Sequence, residues 1–213
     1  MNITDWRKRI SRRSDISAGL VHLTKENEQL KAFGVLMKIL KEQKIVGSTN
    51  QVVNGHSRGF ICGNASVVCF QDVPLFSLSE NILLEQQMHS DNPSSPTRYT
   101  PYGLRFDKRY VYQNGGRPVI YEKTSVAKKF LPEEEYWRIV KLDLDDDNNI
   151  IDWTHEREWR IKGDFNFSLN EVEILLSDQN SVKKFYNYCK KENMLYVFNE
   201  IKGIITLKSL VFW

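Results

Sequence analysis

Short apolar runs, each with a legible period, divide the chain into elements. Residues 19–24 (Gly-Leu-Val-His-Leu-Thr) alternate and carry β-compatible side chains, which predicts a short strand. Thr24, Asn27 and Glu28 supply a plausible helix start directly after it. Leu30, Phe33, Met37 and Leu40 then recur at helical spacing, with Leu36 widening the stripe, so an amphipathic helix is expected through about Glu42. Lys41 and Lys44 complement the negative end of its dipole, and Gly47 is the expected stop.

Beyond that helix, residues 47–66 form a Gly-, Asn- and Ser-rich loop that includes His56, Arg58 and Gly59. Residues 66–70 are predicted as a strand that ends before Pro74, which has no ladder donor and forces Val73 into an extended conformation. A helix is expected over 78–88 and a loop over 89–101. The second half is strand-rich, with strand patterning at 103–106, 119–121, 137–142, 158–161, 172–176, 195–198 and 204–207. Asn114-Gly115-Gly116 is a turn, and residues 181–192 form a helix through Val182, Phe185 and Cys189. Strand, helix, many strands, helix, strands is an α+β order, not a βαβ alternation. One domain over 19–213 is expected, preceded by a basic arm or helix at 1–18.

Charge adds one local feature. Thirty Lys and Arg against twenty-seven Asp and Glu give +3, a mild balance that excludes a histone-like or polyacidic chain. Residues 1–13, however, carry Arg7, Lys8, Arg9, Arg12 and Arg13 against Asp5 alone. That run reads either as a nucleic-acid-touching arm or as a solvated helix face. At 41% hydrophobic residues, wholesale disorder is excluded, and the apolar runs are too short for a membrane span. The N-terminus lacks a secretory apolar region, and Cys62, Cys69 and Cys189 are odd in number and widely spaced. Reduced thiols in a cytoplasmic protein are the expectation.

Most common chemical motifs fail on spacing. His155-Glu156 begins like a zinc-protease helix, but Trp159 stands where the second ligand belongs. No phosphate-binding glycine motif is present, and an acid-x-Lys nuclease ending at Lys162 would need an acid where Arg160 stands. Asp143, Asp145, Asp146 and Asp147 lack calcium-loop spacing and read as a solvated turn. No metal is expected. What remains is Thr154-His155-Glu156-Arg157-Glu158-Trp159-Arg160-Ile161. On an extended chain Glu156 and Glu158 would lie on one side, ~7 Å apart, amid Arg157, Arg160, Trp153 and Trp159. Such carboxylates either stabilise a positive transition state or belong to a strand whose alternating charges satisfy each other.

His22 and Thr24 on a strand before an amphipathic helix, followed far downstream by Glu-x-Glu before an apolar strand, resemble the H-type ADP-ribosyltransferases. The resemblance is to the DarT-like group and to AbiGi-type abortive-infection proteins of bacterial phage defence. It rests on residues 19–24, 68–75 (Val-Cys-Phe-Gln-Asp-Val-Pro-Leu), 102–108 (Tyr-Gly-Leu-Arg-Phe-Asp-Lys), 116–121 (Gly-Arg-Pro-Val-Ile-Tyr) and 156–160 (Glu-Arg-Glu-Trp-Arg), in that order. It implies a split antiparallel or mixed sheet with flanking helices and NAD as substrate. His22 and Thr24 would hold the nicotinamide side of NAD, Glu158 would be the catalytic carboxylate, and Glu156 would bear on the acceptor. Where DarT-like proteins carry a central cation this chain has Gln71-Asp72, so Arg58, Arg105 and Lys108 are the candidate phosphate contacts. Tyr102, Tyr99, Phe70 and Tyr110 are candidates to stack on nicotinamide, although most such aromatics belong to cores.

The implied function is ADP-ribosylation of a macromolecular acceptor, whether DNA, RNA or protein, by the toxin of an anti-phage system with an antitoxin partner and no membrane association. Breaking the nicotinamide–ribose bond develops an oxocarbenium ion, which calls for a nearby anion and an oriented ribose. Two alternatives stay open: a non-enzymatic binding module on the same fold, antitoxin-like or nucleic-acid-binding, and an NAD glycohydrolase without an acceptor.

Overall fold

The computed structural model describes residues 1–53, 56–58, 61–92 and 97–210, without the side chains of residues 51–53 and 56–58. Along the chain the elements begin α1 (Ile3–Ser11), β1 (Gly19–Leu23), α2 (Ala32–Glu42), β2 (Lys44–Ile45), β3 (Gln51–Val53), β4 (His56–Arg58) and β5 (Val67–Gln71). The middle holds α3 (Leu75–Asp91), β6 (Gly103–Asp107), α4 (Lys108–Gln113), β7 (Arg117–Pro118), β8 (Ile120–Glu122), α5 (Thr124–Ala127) and β9 (Ile139–Lys141). The chain continues with β10 (Glu158–Lys162), β11 (Phe165–Asn166), β12 (Val172–Leu176), α6 (Gln179–Lys191), α7 (Leu195–Glu200) and β13 (Gly203–Thr206). This is an α+β fold with mixed, mostly antiparallel pairing. It packs as two compact units.

The first unit comprises Met1–Gln43, Val73–Lys108 and Phe167–Trp213. Four of its strands lie in the order β13-β12-β6-β1, with β12 parallel to β13 and the other pairs antiparallel. Cross-strand register sets His22 and Leu20 on one face with Leu104, Phe106, Val172 and Ile174. The opposite face carries Val21 and Leu175, which cluster with Leu78 and Ile82 of α3, Val73, Tyr99 and Leu207. Gly103 is required where β6 crosses β1, because a Cβ there would lie 2.5 Å from the His22 carbonyl oxygen.

The second unit comprises Lys44–Asp72 and Arg109–Asn166. Its central strands run β5-β10-β7, all antiparallel. Val68, Phe70, Ile161 and Phe165 are buried, and the Phe70 and Phe165 rings meet edge-on at 5.7 Å. On the alternate face of the β5–β10 ladder, Glu158 pairs with Gln71 and Arg160 with Cys69. Two-residue β2 pairs with β11, while β8 and β9 run parallel.

Several sequence expectations are corrected by local bonding. Helix α2 begins at Ala32 and not near Thr24, because the Asn27 side chain accepts the amides of Gln29 and Leu30 and closes a turn first. It ends at Glu42, where Gln43 takes the left-handed conformation (φ 50°), so Gly47 lies beyond the stop. Residues 195–198 form helix α7 and not a strand: a four-residue apolar run has no decisive period, and the Phe198 ring stacks on Phe185 of α6 at 5.9 Å. In residues 137–142 only Ile139–Lys141 is strand, since a 3-10 turn over Glu133–Arg138 follows Pro132. Residues 47–66, expected as loop, hold the short antiparallel β3–β4 pair. At the N-terminus the helix alternative holds over α1, capped by the Asn2 side chain on the Asp5 amide at 2.9 Å, with Arg12 and Arg13 beyond it.

Candidate functional site

In the second unit, a 3-10 turn over Thr154–Glu156 delivers the chain to β10 through Arg157, which adopts the left-handed region at φ 46°. The reversal at residue 157 means Glu156 and Glu158 do not share one side of an extended chain, contrary to the sequence expectation. Glu158 opens the strand and is 6% exposed; Glu156 stays in the turn. Arg160, 2% exposed, shares the strand face with Glu158. Its Nε donates to Glu158 Oε1 at 2.7 Å and its Nη2 to Oε2 at 3.2 Å. Nη1 donates to the carbonyl oxygens of Trp137 at 2.7 Å and Ile139 at 3.3 Å. Burial works against the Arg160 charge, but the Glu158 carboxylate outweighs it and leaves the guanidinium above its ordinary value.

Three further groups surround this pair. The Glu158 amide donates to Tyr121 Oη at 2.7 Å, and burial with the nearby carboxylates of Glu158 and Glu156 holds the phenol at about 12. Cys69, directly across from Arg160, presents area to solvent while its thiol is crowded by protein. Burial first, and the Glu158 charge second, push that thiol far above its ordinary value. Gln71, directly across from Glu158, has a shielded side-chain oxygen without a hydrogen-bond partner among the described residues. Sequence reasoning assigned no site role to Cys69, Gln71 or Tyr121. Only strand parity around a fixed register exposes them, and no local spacing encodes that register.

In the first unit, His22 lies on β1, partly exposed, on the face it shares with Leu104. Thr24 is 1% exposed. Its hydroxyl donates to the Ala32 carbonyl at 2.9 Å and lies 3.2 Å from that of Tyr102, while its amide donates to Tyr102 O at 2.9 Å. These bonds tie the end of β1 to the start of α2 and to the strand entry before β6. The hydroxyl is thereby engaged in holding the fold. The Tyr102 ring packs edge-on to Phe33 at 5.7 Å, and its hydroxyl lies 3.4 Å from Ser181 Oγ. Lys108 opens α4 and donates its amide to Ala18 O at 2.8 Å. Arg105 is ion-paired with Glu173 across β6 and β12. Tyr99 and Phe70 are buried core rings. The Arg58 side chain lies outside the described residues.

Among the described residues no group of three or more His, Cys, Asp or Glu is placed to hold a metal ion, and no helix is long and apolar enough to cross a membrane. None of the three cysteines is in a disulfide. Comparison with protein-family models, with curated proteins and with solved structures finds no match to this chain. The arrangement in the second unit is a buried carboxylate held in one orientation on a sheet face that reaches solvent at Cys69. Chemically, that suits an anion that must be fixed opposite developing positive charge.

Proposed function

We propose that the chain is an NAD-dependent ADP-ribosyltransferase acting on a macromolecule, as the effector of a bacterial anti-phage abortive-infection system. The observation that carries the reading is the placement of Glu158: first residue of β10, behind a left-handed residue, its carboxylate fixed by a two-pronged hydrogen bond. In the reaction the bond between C1′ of the ribose and the nicotinamide nitrogen breaks, and its electron pair leaves with nicotinamide. An acceptor oxygen or nitrogen then bonds to C1′ and loses its proton to a base. Glu158 accepts the ribose 2′-hydroxyl and offsets the oxocarbenium charge, a stabilisation larger in the transition state than in the ground state. Glu156, in the preceding turn, is the group assigned to the acceptor. In the first unit, His22, Tyr102 and Lys108 are the residues the sequence assigns to NAD, and Thr24 holds the strand that carries His22.

The test is incubation with labelled NAD and cell extract, comparing the wild type with Glu158→Gln and His22→Ala. Glu158→Gln is expected to lose about 100-fold or more in label transfer, the size of one strong electrostatic group. Equal labelling by all three proteins ends the reading. Release of free ADP-ribose without labelled acceptor identifies an NAD glycohydrolase instead.

A second reading, a non-enzymatic binding module, is favoured by one observation: both Glu158 oxygens already accept from Arg160, as in an ion pair that only holds the fold. Its mark is a salt-sensitive nucleic-acid complex that survives Glu158→Gln, with no NAD consumed.

A further inference from the structure

We propose that Arg160 is the positioning residue of Glu158, orienting its carboxylate for the ribose hydroxyl; the inference rests on the ADP-ribosyltransferase reading above. The guanidinium is clamped from two sides. Two of its nitrogens hold the two oxygens of Glu158, and the third is anchored on the carbonyls of Trp137 and Ile139. The carboxylate plane is thus referenced to the backbone of another segment, the turn that leads into β9, and not only to its own strand. A planar two-pronged contact sets orientation as well as distance, which a lysine ammonium cannot reproduce.

The Glu158 carboxylate keeps the capacity to accept a further donor. An ionised carboxylate offers about four lone-pair sites. Arg160 occupies two. About two sites remain, so a ribose hydroxyl can donate to a carboxylate that the two-pronged contact holds in one orientation. Lys162, two residues further along the same face, reaches instead toward the Glu134 carbonyl at 3.5 Å, so no neighbouring cation on β10 duplicates the Arg160 contact. Among the described residues, the titratable groups that face Glu158 from the packed elements are Cys69 of β5, Tyr121 of β8 and Arg160 of its own strand, with Glu156 of the preceding turn adding its charge.

The experiment compares wild type, Arg160→Lys and Glu158→Asp for NAD turnover and, by calorimetry, for the stoichiometry of NAD binding below each protein's melting range. Arg160→Lys keeps the charge and loses the fork; Glu158→Asp keeps the carboxylate and pulls it back by one methylene. Each is expected to lower kcat by about 100-fold, the scale of an ångström's misplacement, while binding NAD at full stoichiometry. Wild-type kcat in Arg160→Lys overturns the inference and leaves the ADP-ribosyltransferase reading intact. Loss of binding stoichiometry in step with turnover also overturns it, because Arg160 then only maintains the fold. If Arg160→Lys does not fold, Glu158→Asp decides: full turnover overturns the inference, and full binding with lost turnover supports it. A wild type that neither binds nor consumes NAD removes both the reading and the inference.

Discussion

The carboxylate of Glu158 and the guanidinium of Arg160 meet on one face of β10, two residues apart, in a buried bidentate pair of 2.7 and 3.2 Å. Alternation along a strand puts residues 158 and 160 on the same side; tertiary packing takes the pair out of water. The consequences for stability are asymmetric. Removing Glu158 leaves a charged guanidinium buried with half its partners, whereas replacing both groups with apolar side chains leaves nothing unpaired.

Glu158→Ala is therefore expected to destabilise the protein by about 3–5 kcal/mol, measured by urea denaturation. Glu158→Gln, whose amide oxygen still accepts from Arg160, should lose less. The double change Glu158→Leu with Arg160→Met should be more stable than Glu158→Ala alone. A double variant less stable than the single one would contradict the account of the pair.

Cys69 provides a chemical probe of the same face. Its thiol is pushed far above the ordinary value of 9.0, first by burial and then by the Glu158 charge. A raised thiol stays protonated at neutral pH, and the thiolate is the nucleophile. Alkylation at Cys69, followed by peptide mass spectrometry, should be slow at pH 8 despite the exposed area and should keep rising with pH past 9. Glu158→Gln removes one of the charges that raise it, so alkylation at fixed pH should accelerate. A rate that levels off below pH 9 in the wild type would show the thiol to be unshifted.

Thr24→Val tests the assignment of Thr24 to the fold. Valine keeps the shape of threonine and removes the hydroxyl that donates to the Ala32 carbonyl at 2.9 Å. Leaving that acceptor without its donor should cost about 1–3 kcal/mol, and Thr24→Ser should recover most of it. A neutral Thr24→Val substitution would mean that the bond between strand and helix contributes nothing.

The start of α6 gives a prediction with a pH sign. The Asp178 side chain accepts the Ser181 amide at 2.9 Å as the helix cap, and that bond chiefly holds its carboxyl below the ordinary 3.8. A lowered folded value means the stabilisation is present above the unfolded one and is lost as pH falls through the folded one. Asp178→Ala should cost about 1 kcal/mol at neutral pH. In thermal melts the difference should shrink as the pH drops below 3.8. A gap that persists unchanged into strong acid would exclude the charged cap.

The chain by itself determined most of what depends on local period. Strand patterning at residues 19–24, 103–106, 158–161 and 172–176 announced β1, β6, β10 and β12, and the spacing from Leu30 to Leu40 announced α2. Glu158 was legible as a candidate carboxylate from the Glu-x-Glu pair amid Arg157, Arg160, Trp153 and Trp159. Tertiary structure decided what surrounds that carboxylate beyond Arg160. The register of β5 against β10 set Cys69 and Gln71 opposite Arg160 and Glu158, and the left-handed turn at Arg157 separated Glu156 from the strand. It also turned residues 195–198 into a helix, where packing of Phe198 on Phe185 outweighed an ambiguous apolar run. Periodicity is a property of neighbours a few residues apart. Register, burial and the partner of a buried charge are set by segments tens of residues distant, so no local pattern contains them.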